Sequence, residues 1–386
     1  MSTILFADPH IIGETIGGAE VQLWILAKGF RDAGWQVHYV TDASLSEEIR
    51  DGVFLHSLAD VEAEQHSEKF HSCLKSINPD VIYQRGRKSY TGLVGQYAEE
   101  TETPFIFSTS MDIDCQRYKE LGRIFKNPKN VLQKLRILPH RYKQDASSLK
   151  GMRQATVILT QSSLQKELLR KNLAMQSKVF RNLHPVPDEE LTTKGQPPIV
   201  LWLASVKRWK QPELFIDLAE SLHEYDIRFV LAGRLADREA YEKNLINYEK
   251  KNPNFKYIES VDFDRSNELI ANASVFVNTS EPFEGFPNTF IQSWLRNTVT
   301  ISLNVDPDNL ITQQNIGRLS GSMAMLSKQV RELLENDAMR VEMGKHAREF
   351  AIENFGYSQN FPVINKLAGG LANIKEEARI AKGQRK

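Results

Sequence analysis

The stretch EGFPNTFIQSW (284–294) places a carboxylate, a glycine, a proline and an amide side chain where an apolar run, ASVFVN, passes into a helix-like run. Those residue types at that spacing suit a ligand rich in hydroxyls and phosphates. Glu284 can accept hydrogen bonds from a polyhydroxylated ligand. The turn Gly285-Phe286-Pro287-Asn288-Thr289 brings the first free helical N–H groups near 288–290, where they can hold phosphate oxygens without a metal. Gln292 falls about two helical turns after Phe286, so its side chain need not be far from the same place.

Other stretches could cooperate with it. Lys207, Arg208 and Lys210 follow the apolar run PIVLWLA, and Pro212 and Glu213 suit the first turn of the next helix. Three cations there could neutralise a diphosphate; the alternative is a set of solvated surface cations. Gly17 and Gly18 follow the first apolar run and open a helix, which lets the backbone approach a ligand. Their spacing is not G-x-G-x-x-G, and a glycine turn of this kind can be purely structural. The Asp-x-Asp form of a metal site occurs as DID (112–114), DFD (262–264) and DPD (306–308), a two-residue pattern that recurs readily by chance. Cys73 and Cys115, in unrelated contexts, support neither a disulfide framework nor a cysteine-based zinc cage.

The elements that must position these residues are short β-rich runs alternating with amphipathic stretches. The first series is TILFA (3–7), QVHYVT (36–41), DVIYQ (80–84), PFIFST (104–109) and ATVILT (155–160). The second is PIVLWLA (198–204), IRFVLAG (227–233), FKYIE (255–259), SVFVNTS (274–280) and TVTISL (298–303). Apolar runs with little alternation, separated by helices, predict parallel sheets covered on both faces. HPVPDEELTTKGQPP, with four prolines and no periodicity, reads as a linker. The expectation is α/β: two doubly wound Rossmann-like domains facing a central cleft. Residues 1–184 form the first, 185–198 the linker and 199–355 the second. Residues 356–386 form a C-terminal helix or tail, with a return to the first domain left open, and the closing KEEARIAKGQRK reads as a frayed charged tail. Ligands of such sheets bind at the carboxyl ends of the strands.

The 386 residues, 41% hydrophobic and 25% charged, describe an ordinary globular chain too long for one core. Its 49 basic and 49 acidic residues cancel, so bulk charge gives no case for nucleic acid. The N-terminal MSTILFADPH has no basic n-region, and no run of apolar residues is long enough to span a bilayer. The expected location is the cytoplasm, with any membrane contact peripheral. Segment 117–153 carries eleven Lys or Arg against two acids, interleaved with Leu121, Ile124, Phe125, Val131, Leu132, Leu135, Ile137 and Leu138. It reads either as a solvated basic face or as a surface that rests on anionic lipid.

EGFPNTFIQSW, together with WKQPELFIDLA, resembles the retaining glycosyltransferases of family 4, which have the GT-B fold. The early Gly-Gly-Ala-Glu turn, VFRNLHP (179–185), FVLAG (229–233) and MGKHAREFAIENF (343–355) support the resemblance over most of the chain. It implies transfer of a sugar from a UDP- or GDP-linked donor to a glycan or lipid-linked acceptor, as in bacterial surface-polysaccharide assembly. Retention of anomeric configuration is implied, with no metal and no cofactor beyond the donor as co-substrate. On this resemblance Glu284 contacts donor-sugar hydroxyls, and Gly285 to Thr289 hold the diphosphate. Lys210, with Arg208, neutralises it, and Gly17 and Gly18 line the site from the other domain.

The sequence departs from the family at three places. Gln292 stands where a second Glu usually holds the ribose; its amide can still accept one bond and donate another. Ser205 stands where an Arg often precedes the phosphate Lys, leaving Lys207 or Arg208 to substitute. The His expected after PFIFST is missing, and Asp112 or Asp114 is the candidate replacement. Three rivals are a metal-dependent transferase using an Asp-x-Asp pair, an inactive binding protein of the same fold and a nicotinamide dehydrogenase; the last lacks its glycine fingerprint. Of the remaining conspicuous residues, Trp202 reads as core, Trp209 as a stacking surface for a nucleobase, His184 as a packing or capping residue, and His10 either faces the cleft or is structural. Arg85 and Arg87 face either the acceptor or solvent.

Overall fold

The computed structural model describes residues 1–13, 17–126, 131–188 and 194–383, and the side chains of 123–126, 131–134, 382 and 383 lie outside that description. Ile124, Phe125, Val131 and Leu132 of the basic segment are therefore not placed. The chain divides into two compact units, Met1–Asn182 with Asn360–Lys386, and Leu183–Gln359.

The first unit is built on strands β1 (Thr3–Ala7), β2 (Gln36–Thr41), β3 (Ile49–Arg50), β4 (Val53–Ser57), β5 (Val81–Arg85), β6 (Phe105–Ser108), β7 (Val157–Thr160) and β8 (Lys178–Val179). They form one sheet in the order β3-β4-β2-β1-β5-β6-β7-β8, parallel apart from the β3–β4 hairpin. Asp51 and Gly52 close that hairpin with φ of 48° and 73°, the pair of positive angles that a twisted two-residue turn needs. Helices α1 (Gly18–Asp32), α2 (His66–Ile77), α3 (Tyr90–Thr101), α4 (Lys119–Lys126), α5 (Val131–Arg153) and α6 (Ser163–Leu173) alternate with the strands. Ile4, Leu5 and Phe6 of β1 are all fully buried. Burial on both faces explains why this strand is apolar throughout instead of alternating.

The second unit carries β9 (Ile199–Leu203), β10 (Arg228–Ala232), β11 (Phe255–Ile258), β12 (Val275–Asn278), β13 (Val299–Ser302) and β14 (Gly317–Leu319), parallel in the order β11-β10-β9-β12-β13-β14. Its helices are α7 (Pro212–Ser221), α8 (Arg238–Lys251), α9 (Phe263–Asn272), α10 (Asn288–Trp294), α11 (Leu310–Gln313), α12 (Met323–Glu335) and α13 (Asp337–Phe355). One face of the sheet buries Trp202, Phe215 and Phe229; the other buries Phe286, Phe290, Trp294 and Phe355.

The final helix, α14 (Tyr357–Gly383), runs through Lys375–Gly383, part of the stretch that was expected to fray. Residues from Asn360 onward belong to the first unit, and Phe361 packs edge-on against Phe30 at 5.3 Å. Trp35 Nε1 donates to Asn365 Oδ1 at 2.9 Å, and Lys375 Nζ donates to the Pro79 carbonyl at 2.6 Å. These contacts order the segment despite its charged sequence.

Candidate active site

In each sheet the first strand is central and its two neighbours come from opposite chain directions: β9 lies between β10 and β12, and β1 between β2 and β5. Open parallel sheets take their ligands at such reversal points, outside the carboxyl ends of the strands.

The second unit fills its reversal point with two short turns. After β9 the chain makes a 3-10 turn, Arg208–Lys210, and Pro212 then opens α7 at its first position. After β12 a matching turn, Pro282–Glu284, leads through Gly285 to α10. The two are stitched together. Trp202 Nε1 donates to Thr279 Oγ1 at 2.8 Å, and the Thr279 hydroxyl is within 2.9 Å of the carbonyls of Lys210 and Gln211. The Glu281 amide donates to the Trp209 carbonyl at 2.9 Å. Glu281, which the sequence left without a role, ties the turns together through its backbone. Gly285 has φ 85° and ψ −132°, a conformation that only glycine adopts without strain.

These turns bring Lys210 and Glu284 into direct contact as an ion pair, their side chains only 12% and 6% exposed. Asn278 Nδ2 donates to the other Glu284 oxygen at 3.2 Å. The solvated-cation reading therefore fails for Lys210. It fails because the Thr279 clamp draws the 208–211 turn against the strand that leads to Glu284. Burial, and then the charge of Lys207, lower the pKa of Lys210, while the adjoining Glu284 favours its charged form. Lys210 Nζ also lies 4.3 Å from the Trp209 ring centroid and Lys207 Nζ 5.3 Å. Trp209 in turn packs against Phe283 at 5.9 Å.

The remaining sequence-predicted residues of this unit differ in exposure and in partners. Arg208 is exposed and Ser205 half-buried. Phe286 points into the core against Phe355 at 5.2 Å, so only its backbone is available to a ligand; Pro287 is buried as well. Asn288 and Thr289 open α10 half-buried, and His184 Nε2 is 3.3 Å from Asn288 Oδ1 while its ring stacks on Phe263. Gln292 is 5% exposed, and its Nε2 donates to Asn267 Oδ1 at 2.8 Å. Trp202 is core, as its sequence context implies.

In the first unit Gly17 is the residue before α1 and Gly18 its first, and the Glu20 carboxylate occupies the space that a Gly17 Cβ would fill. Glu20 and Asp8 share Lys88, whose Nζ is 2.9 Å from Glu20 and 2.7 Å from Asp8. Burial raises the pKa of Asp8 to about 6 against the pull of Lys88. This ion triad, at the carboxyl ends of β1 and β5, escaped the sequence reading because its members are 8, 20 and 88 in number. Asp112, in a 3-10 turn after β6, accepts from Gln165 Nε2 at 2.9 Å. Asp114 accepts from the Ser110 and Met111 amides and pairs with Lys119 at 2.8 Å, which holds its carboxyl far below the usual range.

The solvated-loop reading of Arg85 and Arg87 is overturned, since each is only 3% exposed. Arg87 pairs with Asp145 at 3.1 Å and donates to Ser148, which fastens β5 to α5. Asp145 also accepts the Glu120 and Leu121 amides at the start of α4. Segment charge and hydropathy could not reveal this, because Asp145 is one of only two acids in a basic stretch.

Residues 187–350 match the model of the family described as Glycosyl transferases group 1. That match indicates a nucleotide-sugar-dependent glycosyltransferase, and the fold is the GT-B fold of such enzymes. Among solved structures, a sucrose-phosphate synthase from Thermosynechococcus elongatus superposes with a TM-score of 0.74 at 15% identity, covering 96% of this chain and 99% of that one. Anabaena HepE in complex with UDP-glucose gives 0.71 at 16% identity with 96% and 99% covered. WaaG, a glycosyltransferase involved in lipopolysaccharide biosynthesis, gives 0.68 at 14% with 96% and 99% covered. No curated protein matches the chain significantly.

Proposed function

We propose that the chain is a retaining, metal-independent glycosyltransferase of family 4 that takes a UDP- or GDP-linked sugar and transfers it to a glycan or lipid-linked acceptor. The observation that carries this reading is the buried Lys210–Glu284 pair at the β9/β12 reversal point. HepE, of the same fold, has been solved with UDP-glucose. In the proposed site a donor diphosphate takes over the Lys210 ammonium, with Arg208 beside it and the amides of Asn288 and Thr289 opposite. Glu284, released from Lys210, accepts hydrogen bonds from the sugar hydroxyls. Gln292 meets the ribose with an amide where a carboxylate is usual.

The donor's anomeric C–O bond breaks toward an oxocarbenium-like state as the leaving diphosphate gathers charge. Lys210 stabilises that charge, an electrostatic contribution of about 3–4 kcal/mol for a key donor. The acceptor hydroxyl attacks from the same face and loses its proton to the departing phosphate oxygen. The DID carboxylates already have protein partners, Lys119 for Asp114 and Gln165 for Asp112, which supports a mechanism that does not route through them. Full turnover in a chelator is the expected outcome.

Lys210→Met should lower turnover about a hundredfold or more. It also leaves Glu284 buried without a counter-charge, at a cost of about 3–5 kcal/mol. The double variant Lys210→Met/Glu284→Gln should recover stability and leave turnover low. Turnover within a few-fold of the unmodified protein in either variant would remove Lys210 from the reaction.

The membrane part of the proposal rests on α5. Leu135 and Tyr142 are 60% and 54% exposed beside the exposed Arg136 and Lys143, and Tyr118 is exposed ahead of α4. Lys119 and Arg141 are spoken for by Asp114 and Glu120, so among the described residues the exposed Arg136 and Lys143 carry this surface. Salt-sensitive binding to vesicles containing anionic lipid is expected, and no binding at low salt would sink this part. No described helix is long and apolar enough to cross a membrane.

A further inference from the structure

Four cations cluster where β5 and β6 end, and three have carboxylate partners: Lys88 with Asp8 and Glu20, Arg87 with Asp145, and Lys119 with Asp114. Arg85, the last residue of β5, makes no ion pair among the described residues. Its Nη2 donates to Asn182 Oδ1 at 2.6 Å, and Nη1 reaches Ser108 Oγ only at 3.5 Å. Its Nε is buried without a hydrogen-bond partner, as is the hydroxyl of Tyr83 on the same strand face. The carboxylates whose field reaches it, Asp114 and Glu20, are held by Lys119 and Lys88.

A guanidinium removed from water without a counter-ion costs several kcal/mol, and a neutral side chain of similar size would serve the fold better. Its position explains why it is kept. Arg85 ends β5, Ser108 ends β6, and Gln161, which accepts from Asn182 Nδ2 at 3.1 Å, follows β7. At the strand ends where ligands of open parallel sheets bind, Arg85 is thus, among the described residues, a buried positive charge without an ion pair, edged by neutral amides and hydroxyls. The planar fork of an arginine matches a carboxylate or phosphate, which would supply the missing negative charge and the missing Nε acceptor.

We propose that Arg85 is the receptor for an anionic group, phosphate or carboxylate, carried by the acceptor; this rests on the glycosyltransferase reading above. The enzyme then selects an acidic acceptor, either a phosphorylated or a uronic-acid-bearing glycan, over a neutral one.

Thermal unfolding of the full chain tests this, with saturating UDP present so that phosphate cannot act at the donor site. Inorganic phosphate or D-glucuronate should raise the midpoint of the unmodified protein by about 2–4 °C, and neutral glucose should not. A response to phosphate alone identifies a phosphorylated acceptor, and one to glucuronate alone a uronate. Arg85→Gln should be at least as stable as the unmodified protein without anions, should lose the anion response, and should keep the full UDP shift. An unresponsive unmodified protein, or an Arg85→Gln variant that responds equally, overturns the proposal. So does a destabilised variant with no anion response in the parent, which would make Arg85 a clasp for Asn182. Loss of the UDP shift in Arg85→Gln would assign the anion to the donor instead and likewise overturn it. Absence of any UDP shift in the parent moves the whole experiment to saturating GDP, and absence of a shift with either nucleotide would count against the donor reading, while the anion arm would still decide whether Arg85 binds an anion.

Discussion

Gly285 and Gln292 show how single residues set the geometry of the candidate site. Gly285 sits at φ 85° between Glu284 and the buried ring of Phe286, which anchors the turn in the core. Gly285→Ala should cost about 1–3 kcal/mol in stability from backbone strain. Because relief of that strain displaces Glu284, turnover should fall further than the stability loss explains, which thermal unfolding and steady-state rates together would show. Gln292 is held by Asn267, and the proposed function assigns its amide to the donor ribose. Gln292→Ala should raise the donor KM roughly tenfold, the worth of one hydrogen bond of about 1.5 kcal/mol, and leave the acceptor KM unchanged. An unchanged donor KM would remove Gln292 from the ribose site. The sequence spacing put this residue about two helical turns after Phe286, but its partner on α9 is 25 positions away and could not be read from spacing.

At the scale of elements, the pairing of β2 with β4 carries a pH dependence. His38 and His56 lie on these neighbouring strands, their ring nitrogens 2.8 Å apart, and Phe54 stacks on His38 at 5.0 Å. Burial, and then His56, lower the pKa of His38 to about 4 from 6.5. The folded state therefore binds fewer protons than the unfolded chain between these values. The associated stability is complete above about 6.5 and is lost as pH falls toward 4. At pH 5 the loss is roughly 1–2 kcal/mol. His38→Phe should flatten the fall of the unfolding midpoint between pH 7 and 5; an equally steep fall would place the acid sensitivity elsewhere. β3 and β4 were absent from the sequence reading because VFLHS is short and mixed in polarity. The Asp51-Gly52 turn was the signal that could have found them, since that dipeptide favours the positive φ angles such a hairpin needs.

At the scale of the whole molecule, the chain leaves the first unit at Asn182 and returns to it at Asn360. Phe361, Ile364, Ala368 and Leu371 of the returning helix are buried. Each large apolar side chain contributes about 1.5–3 kcal/mol on burial, so removing residues 360–386 should cost the first unit several kcal/mol. Calorimetry of the truncated chain should show an early transition displaced to lower temperature, with the Leu183–Gln359 transition little changed. Loss of the later transition alone would contradict this assignment of the helix.

The sequence by itself determined the alternation of buried strands and helices, the division into two doubly wound units and the Glu284–Thr289 turn. Each follows from local chemistry: unbroken apolar runs demand two covered faces, and glycine and proline impose their own backbone angles. Of the ten strands read from sequence, the cores of all ten recur in the fold, while the edge strands β3, β8 and β14 and the neighbouring β4 do not stand out locally because little of them is buried in an unbroken apolar run. Only the tertiary structure decided which charges meet. Lys210 finds Glu284 across 74 positions and Lys88 finds Asp8 across 80, while Arg85 is left without a counter-ion among the described residues. Sheet order puts such residues side by side, and a charge's energy depends on its neighbours and its distance from water, neither of which is local in sequence.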